Sequence, residues 1–417
     1  MNLILKSATI IDPGNSRYHL KKRDIHIRNG RIEKIASKVE ATGKTEVVQL
    51  KNLHISKGWL DSSVSFGEPG FEERETIANG LHTAALSGFT DIVLNPNTYP
   101  VPDSSGDIVF LKNASRGFAA NLFPLGALTV KGQGKELAEL FDMWNSGAVG
   151  FYDYKSAIDN SNLLKIALLY AQNSNGLVHS FPMDSALAGK GQVNEGEVAT
   201  SLGLKGIPVL AETLQIARDL FILEYTGGKL HIPTISSGAA VKLIASAKKK
   251  GLDVSCSVAL HNLFFDDEVL QGFDSAYKVM PPIRTKQDAK ELLKGVKDGT
   301  IDYVTSDHTP IAIEEKHVEF DNAANGTIGL ESAFPALNTL LGPDLAIEVL
   351  TRGRERFGLS SGTIKEGENA HLSLFNPDFT FEFSEDHVHS TSKNAIFLGA
   401  HLKGKAYGIV ANGQWII

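Results

Sequence analysis

Only one cysteine, Cys256, occurs in the 417 residues. That leaves no internal disulfide and no cysteine-based metal site, and it suits a reducing compartment, so a cytoplasmic location is expected. Long apolar runs are missing too: no stretch reaches about 18 apolar residues, the length of a membrane-spanning helix. The opening stretch MNLILKSATIIDPG is interrupted by Lys6 and Asp12 before a signal-peptide core could form. Positive charge is not in surplus. The net charge of −7 argues against nucleic acid and anionic membranes as partners. The strongest basic run, Lys248 to Lys250, stands before Gly251 at an expected helix end, where it complements the helix dipole.

What is present is ordinary in bulk, with 42 % hydrophobic and 21 % charged residues, and long enough for one large barrel beside a smaller domain. The first fifty residues alternate like strands with tight turns; DIHIRNGRIEKI reads as a hairpin closed by Asn-Gly. The last fifty, with HLSLFNPDFTFEF and KNAIFLGAHLKGKAYGIVANGQWII, read the same way. Between them strand and helix patterns alternate. Eight strand-like runs occur: GWLDSSVS, TDIVLNP, NLFPLGALT, AVGFYDY, GLVHSFP, KLHIPTIS, DVSCSVAL and DYVTSDHTP. Helical stretches such as GKELAELFDMWNSG, GAAVKLIASAKKKG and KQDAKELLKGVKDG separate them and end on Gly147, Gly251 and Gly299. Eight parallel strands with covering helices predict a (β/α)8 TIM barrel over residues 58–364. A composite β-sandwich from residues 1–57 and 365–417 would lie beside it. A doubly wound sheet is the competing layout and usually needs fewer strands.

Barrels of this kind place their chemistry at the C-terminal ends of the strands. The polar residues expected there are Asp61, Ser63, Ser65, Asn95, Asn97, Asp153, His179, Thr234, His261, Asp307 and His308. Asp153, His179, Asp307 and His308 are of the types that bind metals and move protons.

The segments FGEPGFEERETI, LNPNTYPVPD, AVGFYDY, KVMPPIRTKQDAKELLKGVKDGTIDYVTSDHTP and GTIGLESAFPAL, with the terminal GENAHLSLFNP, give the chain a resemblance along its whole length. It resembles the dihydroorotases among the cyclic amidohydrolases, of the type found in multifunctional pyrimidine pathways. The resemblance implies a metal-dependent hydrolase with a binuclear zinc centre, whose bridging hydroxide opens the cyclic amide of dihydroorotate. Residue by residue, it puts the bridging aspartate on Asp153, a histidine ligand on His179, and the catalytic aspartate, also a ligand, on Asp307. The His-x-His pair falls on Ser63 and Ser65, and the remaining histidine ligand on Thr234. Among substrate contacts Asn97 is kept. An arginine falls on Gly67, an asparagine on Met280 and a histidine on Ile311.

Magnitudes decide what this does to the chemistry. A four-ligand zinc site is worth about 10–16 kcal/mol, so about 3 or 4 per ligand, and a serine hydroxyl is a poor substitute for imidazole. Without metal the attacking water keeps a pKa of about 15.7 in place of about 7, on the order of 12 kcal/mol. Asp307 as general base would recover about 10² to 10⁴ in rate. The family's noncatalytic members serve as partners of aspartate carbamoyltransferase. The leading expectation is therefore a dihydroorotase-like protein of pyrimidine biosynthesis with zinc absent or substoichiometric, weakly active or noncatalytic, homo-oligomeric, and a partner of that transferase.

The alternative is an active dihydroorotase or related cyclic amidohydrolase with an altered metal site, using Asp153, Asp307 and the serine oxygens for magnesium or manganese and taking a small-molecule substrate. A sensor using the emptied pocket is a third reading. His387 and His389, a His-x-His elsewhere in the chain, read as solvent-exposed; Lys155 reads as a rim or surface charge, and His231 as a hydrogen-bonded core residue. His261 is expected in a supporting role, and His308 near Asp307. Restoring histidines at 63, 65 and 234 is expected to restore zinc binding without good turnover.

Overall fold

The computed structural model describes residues 1–14, 17–360 and 362–417. At the N-terminal end lie strands β1 (Asn2–Ile10), β2 (Lys22–Arg28), β3 (Arg31–Ala36), β4 (Glu46–Val48) and β5 (His54–Lys57). Asn29 and Gly30, at φ +51° and +75°, form the turn between β2 and β3, the left-handed pair that a two-residue hairpin requires. Then come β6 (Trp59–Val64), β7 (Phe89–Leu94), β8 (Asn121–Pro124), β9 (Leu177–His179), β10 (Val193–Asn194), β11 (Gly206–Ile207), β12 (Lys229–Ile232), β13 (Val254–Ala259) and β14 (Tyr303–Thr305). The chain finishes with β15 (Leu372–Glu382), β16 (His401–Ala411) and β17 (Gln414–Ile416).

Both ends of the chain share one eight-stranded sheet, in the order β17-β16-β15-β5-β1-β2-β3 with β4 on β1. Its inward residues, among them Leu3, Leu5, Ile25, Ile27, Ile55, Leu372 and Leu374, form one apolar core. The barrel is closed in stages. Strands β6, β7 and β8 pair in parallel, as do β9, β12, β13 and β14. Phe151 bridges the two groups through Gly126 and Val178, and a bridge from Val64 to His308 shuts the ring.

Two segments differ from the sequence reading. AVGFYDY contributes a single bridging residue, Phe151, in place of a full strand. Beyond it the chain leaves the ladder so that Asp153 can accept hydrogen bonds from the backbone of Leu128 and Thr129. GKELAELFDMWNSG is helical only over Leu140–Asn145, because its first half bonds back to the preceding loop through Val130 N–H to Glu136 and Ala138 N–H to Leu128. The helices Gly238–Lys249 and Lys286–Lys297 match the sequence pattern. Gly147, Gly251 and Gly299 all have the positive φ expected at helix ends. No helix among the described residues is long and apolar enough to cross a membrane.

Trp59 joins sheet and barrel. It is fully buried, and its ring lies 4.8 Å from Phe334 and 5.5 Å from Phe375 of β15, while its indole N–H donates to Ser56 Oγ at 2.8 Å. Beneath the barrel Asp91 pairs with Arg354 at 2.6 Å and His371 at 2.7 Å. Burial alone would raise its pKa, but these two partners hold the carboxyl well below the usual range. Trp59→Ala is expected to cost about 3–5 kcal/mol. Because the ring touches both parts, urea unfolding should remain one transition with an earlier midpoint; two separated transitions would show that the joint is weaker than its packing implies.

Candidate functional site

The ends of β6, β7 and β14 meet at the barrel mouth. Asp61 is buried and clamps β6 to β14: it accepts from Thr305 Oγ1, from Ser306 N–H at 3.0 Å and from Ser63 N–H at 3.1 Å. Burial raises its pKa. Ser63 and Ser65 are linked by the Asn95 amide, which donates to both hydroxyls at 3.1 Å. Ser63 Oγ also donates to Asp307 Oδ1 at 3.3 Å.

Asp307 makes its main contact with Lys155. The ammonium lies 2.8 Å from Oδ2, and the two side chains are 12 % and 2 % exposed. Lys155 is thus no solvated rim charge. It follows Asp153 closely in sequence, but its φ of +50° turns it inward. Burial pulls its pKa down, and the Asp307 charge outweighs this, so the ammonium is held above its usual range. In sequence Lys155 reads as a rim or surface charge, because a lysine beside a ligand position carries no motif. The signal available was a charge imbalance: histidine ligands gone, two carboxylates kept.

The other ligand positions are separately engaged. Asp153 accepts from Leu128 N–H and Thr129 N–H, each at 2.9 Å, and from Thr129 Oγ1 at 2.5 Å. Burial raises its pKa. It therefore organises the loop after β8. His179 packs its ring 5.6 Å from Tyr152 and 4.8 Å from His231, and neither ring nitrogen has a hydrogen-bond partner among the described residues. Burial pushes it down to about 3. His231 bonds Ser255 and Ser257, as a core histidine should. Thr234 is in the left-handed region at φ +46°, a costly place for a β-branched residue, and its hydroxyl has no partner among the described residues.

His308 does not orient Asp307; its Nδ1 accepts from Gly329 N–H at 3.1 Å, at the start of the helix Leu330–Leu341. His261 is buried, with no partner on either nitrogen among the described residues. Burial first, then the charges of Lys155 and Lys316, pushes it down to about 3. His387 bonds Ser384 and packs on Phe381 and Phe383; of that pair His389 is exposed and His387 half-buried.

Substrate-contact positions have their own surroundings. Asn97 keeps a buried, unpartnered Oδ1. A Cβ on Gly67 would lie 1.7 Å from the Phe71 carbonyl oxygen, because Phe71 and Glu75 fold back to bond the Gly67 backbone. Met280 packs against the apolar cluster holding Tyr152, Phe181 and Met183, and Ile311 is buried beside Asn394.

As arranged, this donor set does not fit a binuclear zinc centre. The three positions that keep ligand types are tied to a backbone loop, an aromatic cluster and an ammonium. Among the described residues no three His, Cys, Asp or Glu side chains gather to hold a metal. The mouth offers a neutralised carboxylate, uncharged imidazoles and amide and hydroxyl groups.

Free imidazole titrates near about 6.5, and folded His261 near about 3. The native state therefore binds fewer protons between these values. Stability from this residue is whole above pH 6.5 and is lost as pH falls toward 3, by about 1.4 kcal/mol per pH unit. The unfolding free energies of the parent and His261→Gln, measured in urea from pH 7 to 5, should converge at about this rate below pH 6.5. A constant gap would show that His261 is not held uncharged.

Residues 53–240 match the family described as dihydro-orotase-like. A dihydroorotase from Pelotomaculum thermopropionicum is 36 % identical, covering 100 % of this chain and 99 % of its own; one from Geobacter metallireducens is 34 % identical over 99 % of each. Among solved structures, an L-hydantoinase (dihydropyrimidinase) from Arthrobacter aurescens superposes with a TM-score of 0.83 at 20 % identity, over 100 % of this chain and 97 % of that one. A dihydropyrimidinase from Brevibacillus agri gives 0.83 at 20 %, over 100 % and 95 %. These two share the fold. With more than a third of its residues identical to the Pelotomaculum enzyme from end to end, the chain belongs to the dihydroorotase family.

Proposed function

We propose that this family member does not run metal-hydroxide chemistry and acts in pyrimidine biosynthesis as a protein partner of aspartate carbamoyltransferase. The observation that carries the first half is the pairing of Asp307 with Lys155 at 2.8 Å. The residue that would take a proton from the attacking water is already satisfied by an ammonium, and Ser63, Ser65 and Thr234 supply no imidazole to a metal. The closed backbone at Gly67 leaves no room for the arginine that would pair a substrate carboxylate.

For the second half, the support is the resemblance to noncatalytic family members together with an apolar outer face. Along the helix Val209–Thr226, Leu210, Leu214, Phe221 and Tyr225 recur on one side. Phe221 is 70 % and Tyr225 82 % exposed. The adjoining helix Ser161–Ala171 adds Ile166 and Tyr170. Such a patch is a surface that a second protein can cover. The competing reading, an active cyclic amidohydrolase with an altered metal site, draws its support from the dihydroorotase names of its relatives.

Protein purified without chelator is expected to hold far less than two zinc ions per chain and to turn over no dihydroorotate above background. It should co-purify with aspartate carbamoyltransferase from the same cell and raise that enzyme's stability or activity. Phe221→Asp with Tyr225→Asp should abolish the co-purification, and Ser63→Ala should leave it intact. Two zinc ions kept through dialysis, with turnover, would establish the hydrolase reading; failure to capture the transferase would remove the partner.

A further inference from the structure

We propose that Lys155 is the resident cation of the mouth: its tethered ammonium takes the place of a metal ion at Asp307, holds that part of the barrel in shape without metal, and bars a divalent ion from entering. The inference rests on the reading that metal chemistry is absent, and it concerns what has replaced it.

Four observations carry it. The ammonium and the Asp307 carboxylate lie 2.8 Å apart, both nearly closed off from water, so each answers the desolvation of the other. Lys155 and Asp307 both have left-handed backbones, at φ +50° and +51°, an unfavourable state for non-glycine residues that persists only where the surroundings impose it. The lysine is fixed at its base as well as its tip: its N–H donates to the Tyr152 hydroxyl at 3.0 Å, and its Nζ lies 5.2 Å from the centre of the Tyr154 ring. Finally, a second buried lysine, Lys316, is close enough to interact with it electrostatically. The Lys316 ammonium is capped by the carbonyls of Lys278 and Ala324 at 2.9 and 3.1 Å.

A zinc ion bound to Asp307 Oδ2, the oxygen 2.8 Å from the Lys155 nitrogen, with an ordinary Zn–O distance of about 2 Å would stand within about 5 Å of that nitrogen. In a site this dry the repulsion is weakly screened. Lysine and metal therefore exclude each other. This changes the expected result of restoring the ligands: histidines at 63, 65 and 234 are not enough while Lys155 remains.

Two measurements on the full-length chain test the proposal. In thermal unfolding, Lys155→Met and Asp307→Asn should each lower Tm, the former by about 5 °C or more. The double variant should lose clearly less than the sum, and Lys155→Arg should keep most of the parent's Tm. In zinc titration followed by elemental analysis, the Ser63→His, Ser65→His, Thr234→His variant should stay substoichiometric. Adding Lys155→Ala to it should bring uptake to at least one zinc ion per chain, with a rise in Tm on zinc addition. Additive losses in the double variant would overturn the proposal, as would equal zinc uptake with and without Lys155. Neither readout depends on the transferase, so the partner reading and this one can fail separately.

Discussion

A carboxylate taken out of water must find positive charge or oriented hydrogen-bond donors, and the mouth of this barrel is organised by that requirement. Each buried aspartate there has a different answer. Asp61 takes the hydroxyl of Thr305 and the backbone of Ser306, and so draws β6 and β14 together. Asp153 takes the backbone of Leu128 and Thr129, and so folds the loop after β8. Asp307 alone takes a full opposite charge. The closure of the ring, the shape of one loop and the state of the central acid follow from these three solutions.

The fold could be read from the sequence because its signals are repeated. Alternating apolar residues, Asn-Gly turns and glycines at helix ends recur many times, so the loss of one strand to a single bridge at Phe151 does not disturb the plan. The candidate site was legible only as a set of positions. Ser63, Ser65, Asp153, His179, Thr234 and Asp307 were placed by their distance from strand ends and by family resemblance. What each side chain does there depends on contacts made across the barrel. Asn95 joining two serines, Asp153 turning to the loop at Leu128 and Thr129, and Lys155 turning toward Asp307 all depend on tertiary geometry with no local pattern. Gly67 is the clearest case: in sequence it is a missing arginine, and in three dimensions it is a place where the backbone of Phe71 leaves no room for any side chain.

The backbone of the mouth is more specialised than its side chains require. Lys155, Thr234 and Asp307 are three left-handed non-glycine residues; Thr234 and Asp307 follow the ends of β12 and β14, and Lys155 follows the bridging residue Phe151. Lys155 and Asp307 are joined by their ion pair. The Thr234 hydroxyl has no partner among the described residues, so its side-chain hydrogen bonding does not account for the conformation.

The folded-back turn at Gly67 has a consequence for the history open to this chain. A side chain at that position meets the Phe71 carbonyl before it can reach the mouth, so the turn from Phe71 to Glu75 would have to be remodelled before an arginine could be of any use. A single substitution there costs stability at once and returns nothing until other changes arrive. The turn works as a ratchet: sequence drift can pass it in one direction, and the way back has no favourable first step.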